Sequence, residues 1–274
     1  MTISVSDEEF YDAAAFEKLK RVLRAKTNVN FGYYRESYLK RRIKVRLVAT
    51  KCTTYSDYVV YLAANPDEYD LLINDLTINF TKFFRDSDVY AYLEEELLPE
   101  LLSSRRMVRI WSAGCATGEE PYSLSMLIRQ IGEQNPNDCR VTIYASDLDK
   151  NALGRAKSGE YTERMVHGID EKLLDKYFDF DGSLYKVKPF VKQLIQFEEQ
   201  DLMTTPKHRN LDLILCRNVM IYFTKEIQNT VYAHFCDSLK SDGYLITGKT
   251  EFVGMDVNSK FVDVNPKCRV YKKA

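Results

Sequence analysis

Residues 108–122 read VRIWSAGCATGEEPY, and this stretch decides the fold. An apolar run at 108–111 is followed by small residues that include Gly114 and Gly118, and residues 119–130 then have a helical pattern. A strand that turns into a helix through glycines lets the backbone approach a bound molecule closely. In open α/β sheets, ligands bind in such a crevice at the carboxyl end of a strand.

The residues after the last glycine indicate which ligand this crevice accepts. A phosphate-binding loop would place a lysine there, whereas this chain has Glu119 and Glu120. Two carboxylates repel a pyrophosphate but favour a ligand that carries an amino group or a sulfonium. The loop therefore predicts S-adenosylmethionine rather than a nucleotide, and we expect Glu120 to support the start of the helix.

Composition narrows the class of protein. The chain has 274 residues, of which 45% are hydrophobic and 29% charged, with a net charge of −1, as in soluble globular proteins. No apolar run reaches the roughly 18 residues that span a membrane, and the acidic N-terminus does not resemble a signal peptide. We therefore expect a cytoplasmic protein. The six cysteines form no C-x-x-C pair and are interpreted as apolar fillers; the three histidines are far apart, so no metal site is predicted.

The periodicity changes along the chain. Helices are predicted at 13–27, 34–51, 55–64 and 66–77, and residues 18–51 contain twelve Lys or Arg but one acid, Glu36. Strands then alternate with helices from about residue 105, with strands predicted at 106–111, 140–146, 195–199, 211–216, 243–248 and 268–272. This alternation predicts a mostly parallel sheet covered on both faces. We divide the chain into a basic helical domain (1–78), a linker helix (79–104) and an α/β domain (105–274).

Polar residues at two strand ends are further candidates. Asp147 ends the second strand, where an acid commonly accepts the ribose hydroxyls of an adenosine; the alternative is a helix N-cap, for which Asp149 is better placed. Arg217, Asn218 and Tyr222 follow the strand 211–216, either at a ligand site or in a loop that returns to solvent. The N-P-P-[YF] motif of many base methyltransferases is absent there, which disfavours base methylation.

Two segments upstream carry candidates with open alternatives. In 76–86, LTINFTKFFRD, a helix would place Thr81 and Arg85 on one face; an aromatic core stripe with a solvated arginine is the alternative. In 34–51, Leu39, Ile43 and Leu47 form one stripe flanked by Arg42 and Arg46. Such cations could steer an acidic partner or form a merely solvated face, and no motif indicates nucleic-acid binding.

Together these motifs closely resemble those of the CheR family of chemotaxis protein-glutamate O-methyltransferases. The shared motifs are N-x-T-x-F-F-R at 79–85, [AS]-x-G-E-E-P-Y-[ST] at 116–123, D-x-D at 147–149 and C-R-N-V-x-I-Y-F at 216–223. The resemblance implies a class I methyltransferase fold, Rossmann-like with a mostly parallel seven-stranded sheet, a small all-α N-terminal domain and a small β-subdomain insertion near 170–193. It implies S-adenosylmethionine as donor and S-adenosylhomocysteine as product. The implied donor contacts are Asn79, Thr81, Arg85, Glu119, Asp147, Asp201, Leu202, Arg217 and Asn218, with Asp201 standing where the family often has an asparagine.

The resemblance also implies a reaction and a partner. The expected reaction methylates glutamate side chains of chemoreceptors, with Arg85 and Tyr222 as catalytic candidates and with Arg42 and Arg46 docking the receptor helices. Some relatives also bind a pentapeptide at the receptor tail through a longer Gly-rich hairpin; residues 177–191 are shorter and contain only Gly182, so we expect no such tether. The alternatives are a methyltransferase of a small carboxylate and a non-catalytic S-adenosylmethionine-binding regulatory module.

Overall fold

The computed structural model describes residues 12–27, 30–76, 81–135, 138–254 and 259–274. These residues form two compact units, one containing the residues up to 76 together with Tyr222–Thr224 and the other containing the remainder. Asn79, a predicted donor contact, lies outside the described residues. Within these ranges, no helix has both the length and the apolar character needed to cross a membrane.

The first unit is helical and has a core of its own. Its helices are α1 (Ala13–Thr27), α2 (Glu36–Thr50), α3 (Tyr55–Ala64) and α4 (Glu68–Leu76). The predicted stripe of Leu39, Ile43 and Leu47 on α2 is confirmed, since each of these side chains is buried in this core. Thr54 and Asp57 form a capping box that begins α3. The apolar periodicity of the four helices therefore builds a packed unit rather than an extended basic arm.

The second unit alternates helices and strands along the chain. A π-helical stretch, Leu93–Leu97, joins its first two helices. Its elements are α5 (Ser87–Tyr92), α6 (Leu98–Ser104), β1 (Met107–Ala113), α7 (Glu119–Gln134), β2 (Arg140–Asp147), α8 (Lys150–Ser158), β3 (Glu160–Tyr161), α9 (Glu163–Val166), α10 (Glu171–Tyr177), β4 (Phe178–Phe180), β5 (Tyr185–Val187), α11 (Pro189–Lys192), β6 (Ile195–Glu199), β7 (Leu211–Cys216), α12 (Lys225–Ser238), β8 (Leu239–Thr247), β9 (Phe261–Asn265) and β10 (Val270–Lys273).

The main sheet has the strand order β6-β2-β1-β7-β8-β10-β9. The five neighbouring strands β6, β2, β1, β7 and β8 pair in parallel, and β10 runs antiparallel to both of its neighbours. The predicted seven-stranded, mostly parallel class I methyltransferase fold is thus confirmed. Strand β9 was not predicted, because it is an edge strand whose Val262 and Val264 are exposed instead of buried.

A separate antiparallel sheet has the order β3-β5-β4. The connection between β4 and β5 turns through Gly182, at a positive φ of 93°. The carboxylate of Asp181 supports this turn by accepting the backbone N–H groups of Ser183 and Leu184. Strand β3 lies upstream of the predicted 170–193 insertion, so this small sheet also uses residues that precede it.

The amino end of the parallel strands is fixed by one buried carboxylate, Asp212 of β7, which has no exposed surface. It accepts the backbone N–H of Arg109 at 2.7 Å and pairs with the side chains of Arg105 and, at 2.6 Å, Lys240. The ligand-binding edge of such a sheet is at the carboxyl ends of the strands. Asp212 therefore ties the sheet together at the edge away from the expected site.

We expect Asp212→Ala to lower the free energy of unfolding by about 3 kcal/mol, because it leaves two cations without their shared partner in a largely desolvated position. Urea unfolding followed by circular dichroism measures this change. Asp242→Ala removes the exposed partner of Arg105 and should cost less than about 1 kcal/mol. Equal losses in the two variants would contradict the role assigned to Asp212.

Candidate active site

The order in which successive strands are added to the sheet reverses between β1 and β7. Open α/β sheets form their ligand crevice at such a point. Two loops leave the carboxyl ends of these strands, 114–118 after β1 and 217–221 after β7. They approach each other closely at Gly114, which has φ +77°; a Cβ there would lie 2.6 Å from Cγ2 of Val219. The glycine is therefore required by this contact as well as by its backbone conformation.

Arg217 is the central charge of this crevice, and its side chain is only 2% exposed. One terminal nitrogen, Nη2, donates to Asp86 at 2.6 Å and to the carbonyl oxygen of Arg85 at 2.8 Å. Nη1 lies 3.5 Å from Glu120, whose carboxylate also accepts a hydrogen bond from Ser112 Oγ at 2.8 Å. Burial raises the pKa of Glu120, although Arg217 acts in the opposite direction. From the first turn of α7, Glu120 thus compensates a buried arginine, and the support of the helix start expected from the sequence stays a prediction.

The neighbouring Glu119 has no such compensation. Its side chain is buried, with 1% of the residue exposed, and accepts a hydrogen bond from Thr117 Oγ1 at 2.7 Å. Burial raises the pKa of Glu119, and no cation of the described residues is paired with it. A buried carboxylate of this kind is suited to a cationic group of a ligand. This fits the ammonium and sulfonium groups of S-adenosylmethionine.

Asp147 ends β2 beside the glycine loop, as predicted. Its carboxylate accepts the backbone N–H groups of Ala116 at 2.8 Å and of Asp149 at 2.9 Å. Burial raises the pKa of Asp147. The prediction that Asp149 caps the following helix is confirmed, since it accepts from the N–H groups of Asn151 and Ala152. Asp147 is consequently not needed as the cap, and its role toward a ribose stays a prediction.

Two side-chain amides near these strand ends have buried atoms without hydrogen-bond partners among the described residues. Gln200 follows β6, is 4% exposed, and both its Oε1 and its Nε2 are in this state; its backbone N–H donates to the carbonyl of Asp147. In the half-buried Asn218, the Oδ1 atom is buried and lacks a partner of this kind. Buried polar groups are normally satisfied, so these atoms fit a site completed by a polar ligand such as an adenosine. The sequence motifs did not indicate Gln200, because they include only the adjacent pair of Asp201 and Leu202.

Asp201 and Leu202 form a turn after this strand. The Asp201 carboxylate accepts the backbone N–H of Met203 at 2.9 Å, and the Leu202 side chain is nearly buried. The carbonyl of Leu202 lies 3.2 Å from Nδ1 of His234. The turn therefore accommodates an aspartate in this position. That Asp201 and Leu202 contact the adenine stays a prediction.

The segment before α5 is not the predicted helix. Residues 81–86 form turns, Phe84 and Asp86 both have left-handed backbones with φ of 50° and 60°, and the helix begins only at Ser87. Thr81 and Arg85 are therefore not helical neighbours. Arg85 instead lies close enough to Glu120 to favour its charged form, and its carbonyl is bound by Arg217.

Left-handed backbones are concentrated around this site. Phe84, Asp86, Ala116 and Asn218 are four of the seven non-glycine residues with positive φ in the described part of the chain. Such conformations cost about 1–3 kcal/mol each and persist where surrounding contacts enforce them. Their clustering is typical of a functional site.

The other predicted site residues lie in the helical unit. Tyr222 belongs to that unit, where its ring centroid is 4.6 Å from that of Tyr38. The half-buried Arg42 also lies over the Tyr38 ring. Arg46 is bound at 2.8 Å by two oxygens of the buried Glu68 and at 3.1 Å by Asp75. Its guanidinium thus holds α2 to α4, which makes it a structural residue instead of the docking residue expected from the sequence.

Comparison with known proteins decides the family. Residues 79–269 match the family model described as the CheR methyltransferase, SAM binding domain, and residues 14–77 match the CheR methyltransferase, all-alpha domain. The chain belongs to the CheR methyltransferase family. A chemotaxis protein methyltransferase of Listeria monocytogenes is 36% identical over 84% of this chain and 87% of its own length. Chemotaxis protein methyltransferases of Borreliella burgdorferi and Vibrio cholerae are each 30% identical, covering 90% and 96% of this chain and 92% and 96% of their own lengths.

Family membership identifies the reaction class and the cofactor. The chain is a methyltransferase that uses S-adenosylmethionine, and the chemistry of the crevice fits this donor. The uncompensated Glu119 suits its cationic groups, and the amides of Gln200 and Asn218 offer unused hydrogen-bonding capacity. We therefore expect Glu119, Gln200 and Asn218 to contact the donor.

We expect Glu119→Gln to weaken S-adenosylmethionine binding at least about tenfold, a loss of 1.4 kcal/mol or more, because it removes the charge that faces a cation. Isothermal titration calorimetry measures this affinity. Glu199→Gln removes an exposed carboxylate near the end of β6 and should change the affinity less than twofold. Equal affinities of Glu119→Gln and the parent protein would contradict the assignment.

The same variant should be more stable than the parent protein when no ligand is bound. A carboxyl whose folded pKa is raised holds its proton more tightly in the native state, so its stabilising contribution is present at low pH and is lost as pH rises through the folded pKa. The stability advantage of Glu119→Gln should therefore grow from about pH 4, near the reference pKa of about 4.3, to neutral pH. Urea unfolding at several pH values measures it.

Proposed function

We propose that this chain transfers methyl groups from S-adenosylmethionine to glutamate side chains of chemoreceptors, the methyl-accepting chemotaxis proteins. The products are glutamate methyl esters on the receptor and S-adenosylhomocysteine. The reaction takes place in the cytoplasm and serves adaptation in chemotaxis. Support comes from the chemotaxis protein methyltransferases to which most of this chain is similar. A surface of the helical unit gives further support.

That surface is the exposed face of α2, formed by Arg41, Lys44, Val45 and Val48, and it is the observation that favours a protein substrate. Arg41, Lys44 and Val48 follow one another at intervals of three and four residues, and Val45 lies four after Arg41, so the four share one side of the helix. Val45 and Val48 are 48% and 69% exposed, and both cations are exposed beside them. An apolar strip bordered by cations is complementary to an amphipathic helix that carries glutamates. A small carboxylate substrate would not require it.

The chemistry of a glutamate acceptor agrees with the residues available. A glutamate side chain, with a reference pKa of about 4.3, is already ionised at pH 7, so no general base is needed. The histidines have other positions: His208 binds Glu198 and stacks on Tyr144, His234 contacts the carbonyl of Leu202, and His167 is exposed. When bound, S-adenosylmethionine supplies an electrophilic methyl group on a sulfonium.

The residues of this chain then act by binding and orientation. Glu119 complements the positive charge of the donor, and Arg217 fixes the segment that carries Arg85. Arg85 is proposed to hold either the acceptor carboxylate or the methionine end of the donor, and Tyr222 is the second candidate for this task. Alignment of the acceptor oxygen with the methyl group, away from water, would supply most of the acceleration.

The small β3-β5-β4 sheet is proposed to work without a receptor tether. Its β4–β5 connection is a tight turn supported by the Asp181 carboxylate. Receptors with and without a C-terminal pentapeptide should therefore be methylated at similar rates. A pentapeptide that binds with micromolar affinity or better would overturn this part of the proposal.

The ester itself provides the decisive test of function. When the protein is incubated with methyl-labelled S-adenosylmethionine and receptor-containing membranes, we expect label on the receptor that mild base releases as methanol, because carboxyl esters hydrolyse readily. Arg85→Ala should lose at least about tenfold in rate, whereas the cation-preserving Arg85→Lys should retain more activity.

Three outcomes would count against this proposal. Base-stable label would indicate a nitrogen or another acceptor. Label on small molecules in the absence of receptor would favour a metabolite substrate. Near-normal transfer by Arg85→Ala with unchanged donor affinity would remove Arg85 from the catalytic residues.

Charge reversal tests the face of α2. We expect Arg41→Glu combined with Lys44→Glu to lower kcat/KM for receptor at least about tenfold at low salt, with donor affinity unchanged. The effect should shrink in high salt, since the screening length falls from about 10 Å at 0.1 M to about 3 Å at 1 M. Initial rates of receptor methylation at several salt concentrations measure it.

The matched control changes the same net charge elsewhere in the helical unit. Arg24→Glu combined with Lys26→Glu reverses two exposed cations at the end of α1 and should have a smaller effect. Arg46→Glu is unsuitable for this purpose, because it would place a carboxylate against the buried Glu68. Equal losses in the two double variants would mean that the overall field of the unit, not the α2 face, attracts the receptor.

A further inference from the structure

Glu251, four residues after the end of β8, has a carboxylate that binds several peptide N–H groups. Its side chain is buried, with 3% of the residue exposed. Oε2 accepts the N–H of Asn218 at 2.8 Å and that of Gly248 at 2.6 Å, and Oε1 accepts the N–H of Ile221 at 3.2 Å. One side chain therefore ties the loop after β7 to the loop after β8.

The loop that it holds has a backbone that needs support. Asn218 has a left-handed conformation with φ of 62°, which costs a non-glycine residue free energy. The Asn218 Oδ1 atom is buried and has no hydrogen-bond partner in the part of the chain that the structure describes. The position of this oxygen is consequently not fixed by a bond of its own, and the backbone that Glu251 binds must fix it.

The contact between Glu251 and Asn218 also leaves no room for a side chain at position 248. A Cβ on Gly248 would lie 2.6 Å from Oε2 of Glu251 and 2.8 Å from the backbone nitrogen of Asn218. Both distances are shorter than real side chains allow. Gly248, Glu251 and Asn218 therefore form one close-packed clamp, which we call the 251 clamp.

The electrostatics of the clamp suggest a role beyond holding a loop. Burial raises the pKa of Glu251, and the groups that act in the opposite direction are backbone N–H groups, not a cation. Burying a carboxylate without a cation costs free energy, which the hydrogen bonds from the backbone N–H groups must offset. The segment that it fixes, residues 217–221, begins with Arg217 and Asn218, two of the donor contacts that the resemblance to the CheR family implies.

We propose that Glu251 is a positioning residue for the methyltransferase site: its carboxylate sets the backbone of residues 217–221 and thereby the affinity for the adenosyl ligand. The inference rests on the proposed methyltransferase function and on the donor contacts of Arg217 and Asn218 that the family resemblance implies. It does not depend on which acceptor is methylated. It adds to the site a residue that lies outside the four motifs of the sequence analysis.

The test compares Glu251→Gln with a buried carboxylate variant away from the site. Glu251→Gln keeps the size of the side chain but turns an NH₂ group toward one of the peptide N–H groups, which breaks part of the clamp. We expect the amide hydrogens of Asn218 and Ile221 to exchange at least about tenfold faster and the Kd of S-adenosylhomocysteine to rise at least about tenfold. Hydrogen exchange by NMR and isothermal titration calorimetry measure these two quantities.

Asp212→Asn is the matched control, because Asp212 is equally buried and also accepts a backbone N–H. It should lower the melting temperature. The exchange rates of the Asn218 and Ile221 amides and the Kd of S-adenosylhomocysteine should stay within twofold of those of the parent protein. A merely structural role for Glu251 predicts the same behaviour for Glu251→Gln, and that result would overturn the proposal. Faster exchange with an unchanged Kd would also overturn it, since the clamp would then not govern ligand binding, whereas receptor methylation with a base-labile product would still support the proposed function.

Gly248→Ala provides a second variant if Glu251→Gln does not fold. Its methyl group must displace the carboxylate or the Asn218 nitrogen, so it should reproduce the faster exchange and the weaker binding. Unchanged exchange and affinity in folded Gly248→Ala would overturn the proposal. Rapid exchange of the Asn218 and Ile221 amides in the unmodified protein would overturn it without any variant.

Discussion

The ion pairs of Arg217 hold together the segments from which the crevice is built. A buried cation is strongly unfavourable unless it is paired and hydrogen-bonded. The partners of Arg217 come from the segment before α5, through Asp86 and the Arg85 carbonyl, and from the first turn of α7, through Glu120. Because Arg217 itself follows β7, three parts of the chain must meet before its charge is satisfied. The position of Arg85 follows from this requirement.

The two adjacent glutamates of α7 differ in whether a cation among the described residues compensates their charge. Glu120 is compensated by Arg217 and Ser112, whereas Glu119 is buried with only a threonine hydroxyl and its own backbone. A buried carboxylate without a cationic partner is unfavourable, and a cationic ligand would supply the missing partner. Perturbed carboxyl groups of this type are concentrated at functional sites, as are the left-handed backbones at Phe84, Asp86, Ala116 and Asn218.

Features governed by local rules were predicted well. The glycine loop after β1, the cap by Asp149 and the buried stripe of α2 each depend on residues within about one turn or one strand end, and the structure has all three. Prediction failed where distant contacts compete with local pattern. Residues 81–86 have a spacing compatible with a helix, but the bonds from Arg217 to Arg85 and Asp86 are made with a turn that has left-handed residues at 84 and 86. Arg46 lies among cations in the sequence, yet Glu68 and Asp75 of another helix bind it.

The sequence by itself determined the change from a helical region to alternating strands and helices, the glycine-lined crevice at the end of β1 and the excess of cations in the helical unit. These follow from periodicity, turn chemistry and composition, which act over short distances. Only the tertiary structure decided which charges are paired and which are left for a ligand: Glu120 and Arg46 are compensated, Glu119 is not, and Glu251 binds backbone instead of a cation. The reason is that burial and pairing depend on groups far apart in the chain, and no local pattern contains their distances.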